Sequence, residues 1–418
     1  MCYERNVDLD SVTPEEKQRI EATIAYFGQV PSQLLSYPHP ERKAYLPKPV
    51  VTWETLDEEN VVSLSASTYK KYKISELSQT TIIGIFVLPE TTESLPGQSI
   101  QGNVGEDYRI ITIDENSNFM INRYRTKEKY PFLRDTKEPG RLLLPPNTTS
   151  KIFAVSNDGK SLFAGGFWDN SIKVVEIDQR FDIASHQTIY QHKAPVTCLC
   201  LTENNHYLIS GSEDTTLRIW DVIDGYRVAP TTPTNSYMLD PRGSKHVLYG
   251  HRERVLSVVA STDFDCCVSG STGVIIIHKI TNGDYIRTIK LKPEETVDLL
   301  AFQSAMGHFA VFSKSSLMIY LFSINGTLIV SKEASEQLSS LVFSRDGNLL
   351  FSGGLRGSLT IRQSHNLHTI QKISISSPIY ALSIINEKSI MLGTPKTVVW
   401  IKVSKKGDKK NNYKTIKL

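Results

Sequence analysis

Between residues 150 and 403 apolar and polar positions alternate in short bursts, with no sustained helical spacing. Six apolar runs stand out: IFAVS ending at Ser156, VTCLCL at Leu201, VLSVVA at Ala260, VDLLAF at Phe302, LSSLVF at Phe343 and IYALSI at Ile384. From Ala260 onward their ends fall 42, 41 and 41 residues apart. A polar turn follows, as at Asp158-Gly159, Asn204-Asn205 and Arg345-Asp346-Gly347, and then a second apolar run closing on small residues: SLFAGG, YLISGS, CCVSGS, LLFSGG. After another tight turn comes a third run: SIKVVEI, TLRIWDV, VIIIHKI, SLTIRQS.

Strand, turn, strand, turn, strand at a period near 40 predicts the blades of a β-propeller. The small residues have a steric reason. Blades converge on a central axis, and bulk at Gly165-Gly166, Gly211, Gly270 or Gly353-Gly354 would strike the adjacent blade. The six runs give six blades, and a divergent first blade reads from TIIGIFV (80–87) through DYRIITIDENSNFMINRYR (107–125). An isolated strand signal at 60–74 is expected to complete the seventh blade, joining the two ends of the ring so that no edge is left unpaired. Two polar stretches, 89–106 and 224–246, read as surface loops open to a partner or to phosphorylation.

One blade carries more chemistry than the rest. In QHKAPVTCLCLTENNHYLISGSEDTTLRIWDV, His192 precedes Trp220 by 28 positions, with Ser210 and Asp214 between them. This resembles the WD-repeat family, in which equivalent residues form a buried hydrogen-bond chain: Asp214 would accept from His192, and Ser210 would bridge the imidazole to the indole of Trp220. A Ser/His/Asp set also invites a catalytic reading, but no G-x-S-x-G elbow or oxyanion loop accompanies it, so the network is expected to be structural. Other blades depart from the motif. YGHRERVLSVVA keeps Gly250-His251 but has Thr272-Gly273 in the turn and His278 at the Trp position, and GGFWDNSIKVVEI keeps Asp169 without an upstream His. These blades are expected to rely mainly on apolar packing.

Ahead of the repeats, TPEEKQRIEATIAYF (13–27) predicts a helix with Thr13 as cap, Pro14 at its first position, Glu16 completing a capping box and Gly28 as stop. Ile20, Ile24 and Phe27 share one face, which calls for a core. Next comes FGQVPSQLLSYPHPER, with Phe27, Gly28, Gln29, Pro31, Gln33, Leu34, Leu35, Pro38, His39, Pro40 and Arg42 in order. This segment resembles the C-terminal end of a BEACH domain, a family in which a WD-repeat propeller usually follows. GGFWDNS, SGSEDTTLRIW and SRDGNLLFSGGLRGSLTIRQ are most similar to its neurobeachin branch. The resemblance implies an all-β, seven-bladed WD-repeat propeller preceded by a short α-helical remnant of a BEACH domain. The expected division is 1–43 for the BEACH end, 44–59 linker, 60–403 propeller and 404–418 Lys-rich tail. The remaining BEACH portion would be a partner in cis or in trans, and a truncated gene model is the favoured account over a deliberate fragment or a split protein. His39 between two prolines, with no ligand or acid–base partner at spacing, is read as a packing residue.

Composition narrows the function. The 418 residues are 40% hydrophobic and 22% charged, no window reaches the roughly 18 apolar residues of a membrane span, and the start MCYERNVDLD lacks a secretory h-region. Five Cys without disulfide or zinc spacing imply a reducing, cytoplasmic setting, which would make the sequons at Asn147 and Asn325 chance matches. The net charge is +3, yet residues 402–418 hold seven Lys against Asp408, which leaves the body at −3. No nucleic-acid partner is expected, while the tail could touch an anionic membrane surface.

No phosphate loop, H-E-x-x-H, paired Cys motif or dinucleotide fingerprint is found, so the expectation is a non-enzymatic protein without cofactor or metal. By resemblance it would be a scaffold binding other proteins in vesicle trafficking or membrane-protein sorting, cytoplasmic and peripherally membrane-associated. An adaptor for autophagy, ubiquitin-ligase or RNA-processing complexes is the alternative. The recognition face should carry the turns before each inner strand and between second and third strands. Its candidate contacts are Phe167, Trp168, Lys193, Glu213, Arg252, Arg254, Lys314 and Arg356.

Overall fold

The computed structural model describes residues 68–74, 81–89, 108–123, 129–133, 144–145, 148–177, 185–224, 237–375, 377–386, 389–395 and 397–404. The expected helix, the BEACH-end motif from Phe27 to Arg42, the 44–59 linker, the 405–418 tail and most of the 89–106 loop lie outside these residues.

Seven antiparallel sheets follow one another along the chain, six of them simple four-strand meanders or close variants. Blade 1 is Ile82–Pro89, Tyr108–Asp114, Phe119–Arg123 and Lys129–Leu133, and blade 2 is Phe153–Val155, Ser161–Ala164, Ile172–Glu176 and Ser185–Ile189. Blade 3 runs Val196–Leu201, Tyr207–Ser212 and Leu217–Asp224. Its outer edge is built in two pieces, Tyr237–Leu239 and His246–Leu248, which pair with successive halves of the third strand. Blade 4 is Ser257–Ser261, Cys266–Ser271, Val274–Lys279 and Tyr285–Lys290; blade 5 is Leu299–Gln303, His308–Ser313, Met318–Ser323 and Leu328–Glu333. Blade 6 is Leu338–Phe343, Leu349–Gly354, Ser358–Gln363 and Thr369–Ser374. Blade 7 comprises Ala381–Asn386, Ser389–Thr394 and Thr397–Ser404, and Thr68–Ile74 supplies its outer strand, running antiparallel from Thr68 opposite Ser404 to Ile74 opposite Val398. The propeller is thus closed by its first and last strands.

The core consists of wedges between blades. Ile82, Ile85 and Ile110 of blade 1 pack with Ala381, Met391 and Val398 of blade 7, and Cys198 and Ile209 of blade 3 with Val255 and Val258 of blade 4. These packed walls bury the sheet faces that each blade alone would expose. The small residues of the second strands sit where the next blade's inner strand arrives. A Cβ on Gly211 would stand 2.7 Å from Val255 Cγ1, and one on Gly353 2.7 Å from Ile379 Cγ2. Both distances lie well inside van der Waals contact.

The 224–246 stretch is not wholly a loop. Tyr237–Leu239 forms a strand, and blade 2 holds it: Ser161 Oγ accepts from Tyr237 N at 2.7 Å, while the Gln187 amide accepts from Leu239 N at 2.8 Å and donates to Leu239 O at 2.7 Å. A side-chain amide here takes the place of a strand partner, wedging the segment between blades 2 and 3.

The candidate interaction face and the network beneath it

In blade 3, Trp220 Nε1 donates to Ser210 Oγ at 2.9 Å, Ser210 Oγ lies 2.8 Å from His192 Nε2, and His192 Nδ1 lies 2.9 Å from Asp214 Oδ2. The bonds form one directional chain when the imidazole is neutral with its proton on Nδ1, donated to Asp214, and Ser210 donates to Nε2. Burial lowers the His192 pKa against the pull of Asp214, which favours that neutral form. Asp214 opposes burial with bonds from Thr216, the Lys193 backbone and His192, and these hold its carboxyl at about 2. The chain locks the turn ahead of the inner strand to both following strands.

Blades 1 and 6 keep the second half of this device, a hydroxyl and its third-strand donor, with other residues, whereas blade 4 keeps the first half, an imidazole on the hydroxyl. The register of blades 1 and 6 matches that of blade 3, with the donor on the third strand two positions past the residue paired with the hydroxyl: Ser210 opposite Arg218, Thr112 opposite Met120, Ser352 opposite Thr360. In blade 1, Asn122 Nδ2 donates to Thr112 Oγ1 at 3.0 Å. In blade 6, Arg362 Nη1 donates to Ser352 Oγ at 2.5 Å from a side chain only 3% exposed. In blade 4, His278 fills the Trp position and lies 3.3 Å from Tyr249 O, while His251 Nε2 sits 2.8 Å from Ser269 Oγ. Ser269 Oγ in turn donates to Ile276 O, so the His251 proton is on Nε2, opposite to His192. The shortened turn Thr272-Gly273 brings no carboxylate to its Nδ1, and burial pushes its pKa to about 4. Apolar packing alone therefore does not account for blade 4, because a hydroxyl and an imidazole still tie its strands together.

Because each sheet is an antiparallel meander, the turns before inner strands and those between second and third strands lie on one face. Trp168 is 58% exposed there, and Lys193, Glu213, Arg252, Arg254, Lys314 and Arg356 are exposed as well. Phe167 is a correction. It is 2% exposed, joins the wedge between blades 1 and 2, and carries Lys173 Nζ 4.5 Å from its ring centroid. The turn bonds Asn170 N to Phe167 O and takes Asn170 through φ 60°, which sends Phe167 inward and leaves Trp168 at the tip.

The cations of this face stand on fixed backbone. Lys193 N donates to Asp214 Oδ2 at 2.9 Å, Lys314 N to Asp298 Oδ2 at 2.8 Å, and Arg356 N to Glu336 Oε2. In each case a carboxylate holds the main chain while the charged side chain points to solvent. Arg254 Nη1 lies 3.5 Å from Glu213 Oε1, an exposed pair of small energetic weight. Tyr190 and Tyr249, 65% and 71% exposed, add aromatic surface ahead of the two network histidines; sequence reasoning passed them over because they stand just outside the turns. Asn170 Nδ2 reaches Lys193 O at 3.4 Å and links the Trp168 turn to blade 3. Between blades 5 and 6 the same face opens into a cleft of about 690 Å³ lined by Leu317, Ala334, Ser335, Glu336, Leu355 and Arg356.

Among the described residues no group of three or more His, Cys, Asp or Glu side chains could hold a metal ion. Cys198, Cys200, Cys266 and Cys267 are free thiols. Burial pushes Cys198 to about 11 and Cys200 and Cys266 to about 12, and it raises Cys267 too.

Comparison with known proteins places this geometry. Solved propellers share the fold: U3-55K superposes with a TM-score of 0.58 at 16% identity, covering 79% of this chain and 98% of that one, and the RRP9 WD40 repeats with 0.59 at 16%, covering 80% and 97%. Relatives by sequence include BEACH domain-containing protein B of Arabidopsis thaliana, 25% identical over 94% of this chain and 15% of the relative. BEACH domain-containing protein lvsE of Dictyostelium discoideum is 23% identical over 94% and 19%, and a putative neurobeachin homolog of Caenorhabditis briggsae 22% over 91% and 15%. The chain spans less than a fifth of the length of these relatives. A match over 94% of the chain is more than the unit Val61–Leu418 alone could supply, so the similarity to the first two continues into the N-terminal segment. The family profile described as the neurobeachin beta propeller domain matches residues 147–410, well over half of the sequence, and the chain accordingly belongs to the neurobeachin β-propeller family of BEACH/WD-repeat proteins.

Proposed function

We propose that this protein is a non-catalytic scaffold that docks other proteins on the face bearing Trp168, Lys193, Arg252, Arg254, Lys314 and Arg356, and that it acts in vesicle trafficking or membrane-protein sorting. The supporting observation is preorganisation: Lys193, Lys314 and Arg356 present cations from main chain already held by carboxylates, beside an exposed Trp168. Backbone fixed before binding loses less entropy when a partner arrives, and Trp and Arg dominate the energetics of many interfaces. Family membership supports the trafficking role. The cytoplasmic setting and a peripheral membrane contact through the six lysines of residues 404–418 belong to the same proposal.

Two measurements test it. Affinity purification from cells, comparing wild type with a Trp168→Ala/Arg252→Glu variant of unchanged melting temperature, should recover membrane-sorting proteins with wild type alone; equal recovery by both removes this face from the proposal. Liposome flotation with anionic vesicles should be lost when residues 404–418 are removed. If flotation is absent from both forms, the membrane contact is wrong.

A further inference from the structure

Lys151 stands at a position that recurs in every blade. It is one residue ahead of Ile152, whose carbonyl accepts from Gly165 N. In blades 3, 4, 5 and 6 the inner-strand partners of the second strand are Cys198 opposite Gly211, Ser257 opposite Gly270, Leu299 opposite Phe312 and Ser340 opposite Gly353. The counterparts of Lys151 are therefore Thr197, Leu256, Asp298 and Ser339. Thr197 and Ser339 turn sideways, their hydroxyls donating to the next blade at Val255 O (2.6 Å) and Ile379 O (2.5 Å).

Lys151 does not turn sideways. Its Nζ donates to Leu256 O at 3.0 Å and to Asp298 O at 2.7 Å. Blades succeed one another around the ring, so a bond from blade 2 to blades 4 and 5 that bypasses blade 3 must cross the central opening. The Leu256 and Asp298 carbonyls both reach the same nitrogen, so they converge on one point in that opening. Two carbonyl oxygens converging without a backbone donor between them form a cradle for a cation with several N–H groups, and a primary ammonium fits it. The Asp298 carboxylate accepts from Lys314 N and Thr296 Oγ1 through Oδ2 and attracts the Lys151 charge from nearby, while the hydrogen bonds to the ammonium come from the two carbonyls.

We infer that the mouth of the central channel, on the face that carries Trp168, is a binding site for a primary ammonium group, built from the Leu256 and Asp298 carbonyls and filled from within by Lys151. While Lys151 is seated, a basic side chain of a partner cannot enter along the axis, and partners are confined to the periphery of the face. The site holds whether or not that face serves membrane trafficking.

The test is chemical rescue. Lys151→Ala removes the ammonium and its stem, and its Tm should fall by about 2–4 °C, the shift expected for the loss of a charge-assisted pair of bonds in a domain of this order. n-Butylammonium chloride should restore that Tm in a saturable manner and leave wild type unchanged, with n-butanol and sodium chloride as controls. Lys151→Met keeps the stem in the channel without the charge; it should be destabilised and unresponsive to the amine. No rescue of the alanine variant, or equal rescue by butanol, overturns the inference. Should the alanine variant fail to fold, acetylation footprinting of wild type decides: Lys151 must react far more slowly than exposed Lys193 and Lys314, and a comparable rate is fatal to the inference.

Discussion

Trp220 and His192 each make a hydrogen bond to the same oxygen, Ser210 Oγ, at 2.9 and 2.8 Å. That single hydroxyl therefore fixes two strands and a turn. Ser210→Ala should leave a buried indole N–H and an imidazole nitrogen without partners and lower stability by about 2–6 kcal/mol, with about 1–3 kcal/mol from each orphaned group. His192→Ala should also lower the melting temperature while leaving binding through other blades intact. Thermal melts of both variants check this, and an unchanged midpoint in either would sink the account of the network.

Arg362 performs the Trp220 task with a charge. Ser352→Ala would strand a buried guanidinium whose pKa burial already lowers, so the loss should be about 1.5–3 kcal/mol, the range for hydrogen bonds to charged groups. Arg362→Met, which removes the charge with the bond, should be milder. Urea midpoints for the two variants must come out in that order.

Gly211 faces Val255 of the next blade with no room for a methyl group. Gly211→Ala should destabilise by about 1–3 kcal/mol through overpacking, and Val255→Ala in the same chain should recover part of that loss. A double-mutant cycle without coupling would refute the close approach.

Acid should weaken this fold in two steps. His251 titrates at about 4 in the folded protein and near 6.5 when unfolded, so the unfolded chain takes up a proton first and stability falls as pH drops from 6.5 toward 4, by up to about 3 kcal/mol. Burial lowers His192 as well, which adds in the same direction. Asp214, held at about 2 against 3.8 unfolded, contributes a stabilisation that is present above 3.8 and disappears between 3.8 and 2. Denaturant midpoints measured from pH 7.5 downward should decline, and His251→Gln should flatten the first step. A midpoint that rises on acidification contradicts this assignment.

The buried thiols should be inert. Cys198, Cys200, Cys266 and Cys267 need deprotonation to react, and burial places that far above neutral pH. Iodoacetamide should label them only in denaturant, as peptide mass mapping would reveal.

The ring was legible in the sequence because it depends on period and alternation, and both survive drift in residue identity. The hydroxyl–donor pairs of blades 1 and 6 were not, because Asn122 and Arg362 share no residue type with Trp220; only the register of the paired strands aligns them. Phe167 and Trp168 look alike as neighbours in a turn, and the inversion at Asn170 that separates them is a backbone property. Tyr237–Leu239 hid in a polar stretch because part of its pairing comes from the side chains of Ser161 and Gln187. Lys151 gave no signal at all, since its partners lie 105 and 147 residues away.

The pairing of Thr68–Ile74 with Thr397–Ser404 has a consequence for the birth of the molecule. On the ribosome six blades can form in order as they emerge, each wedge closing on the one before. The strand made first must wait, its edge open, until residue 404 has left the exit tunnel. Ring closure is then a late, long-range event, with the loop entropy of nearly the whole propeller to overcome in one step. The same latch should be the first to open on unfolding, and amide exchange in the seventh blade should report it before any other.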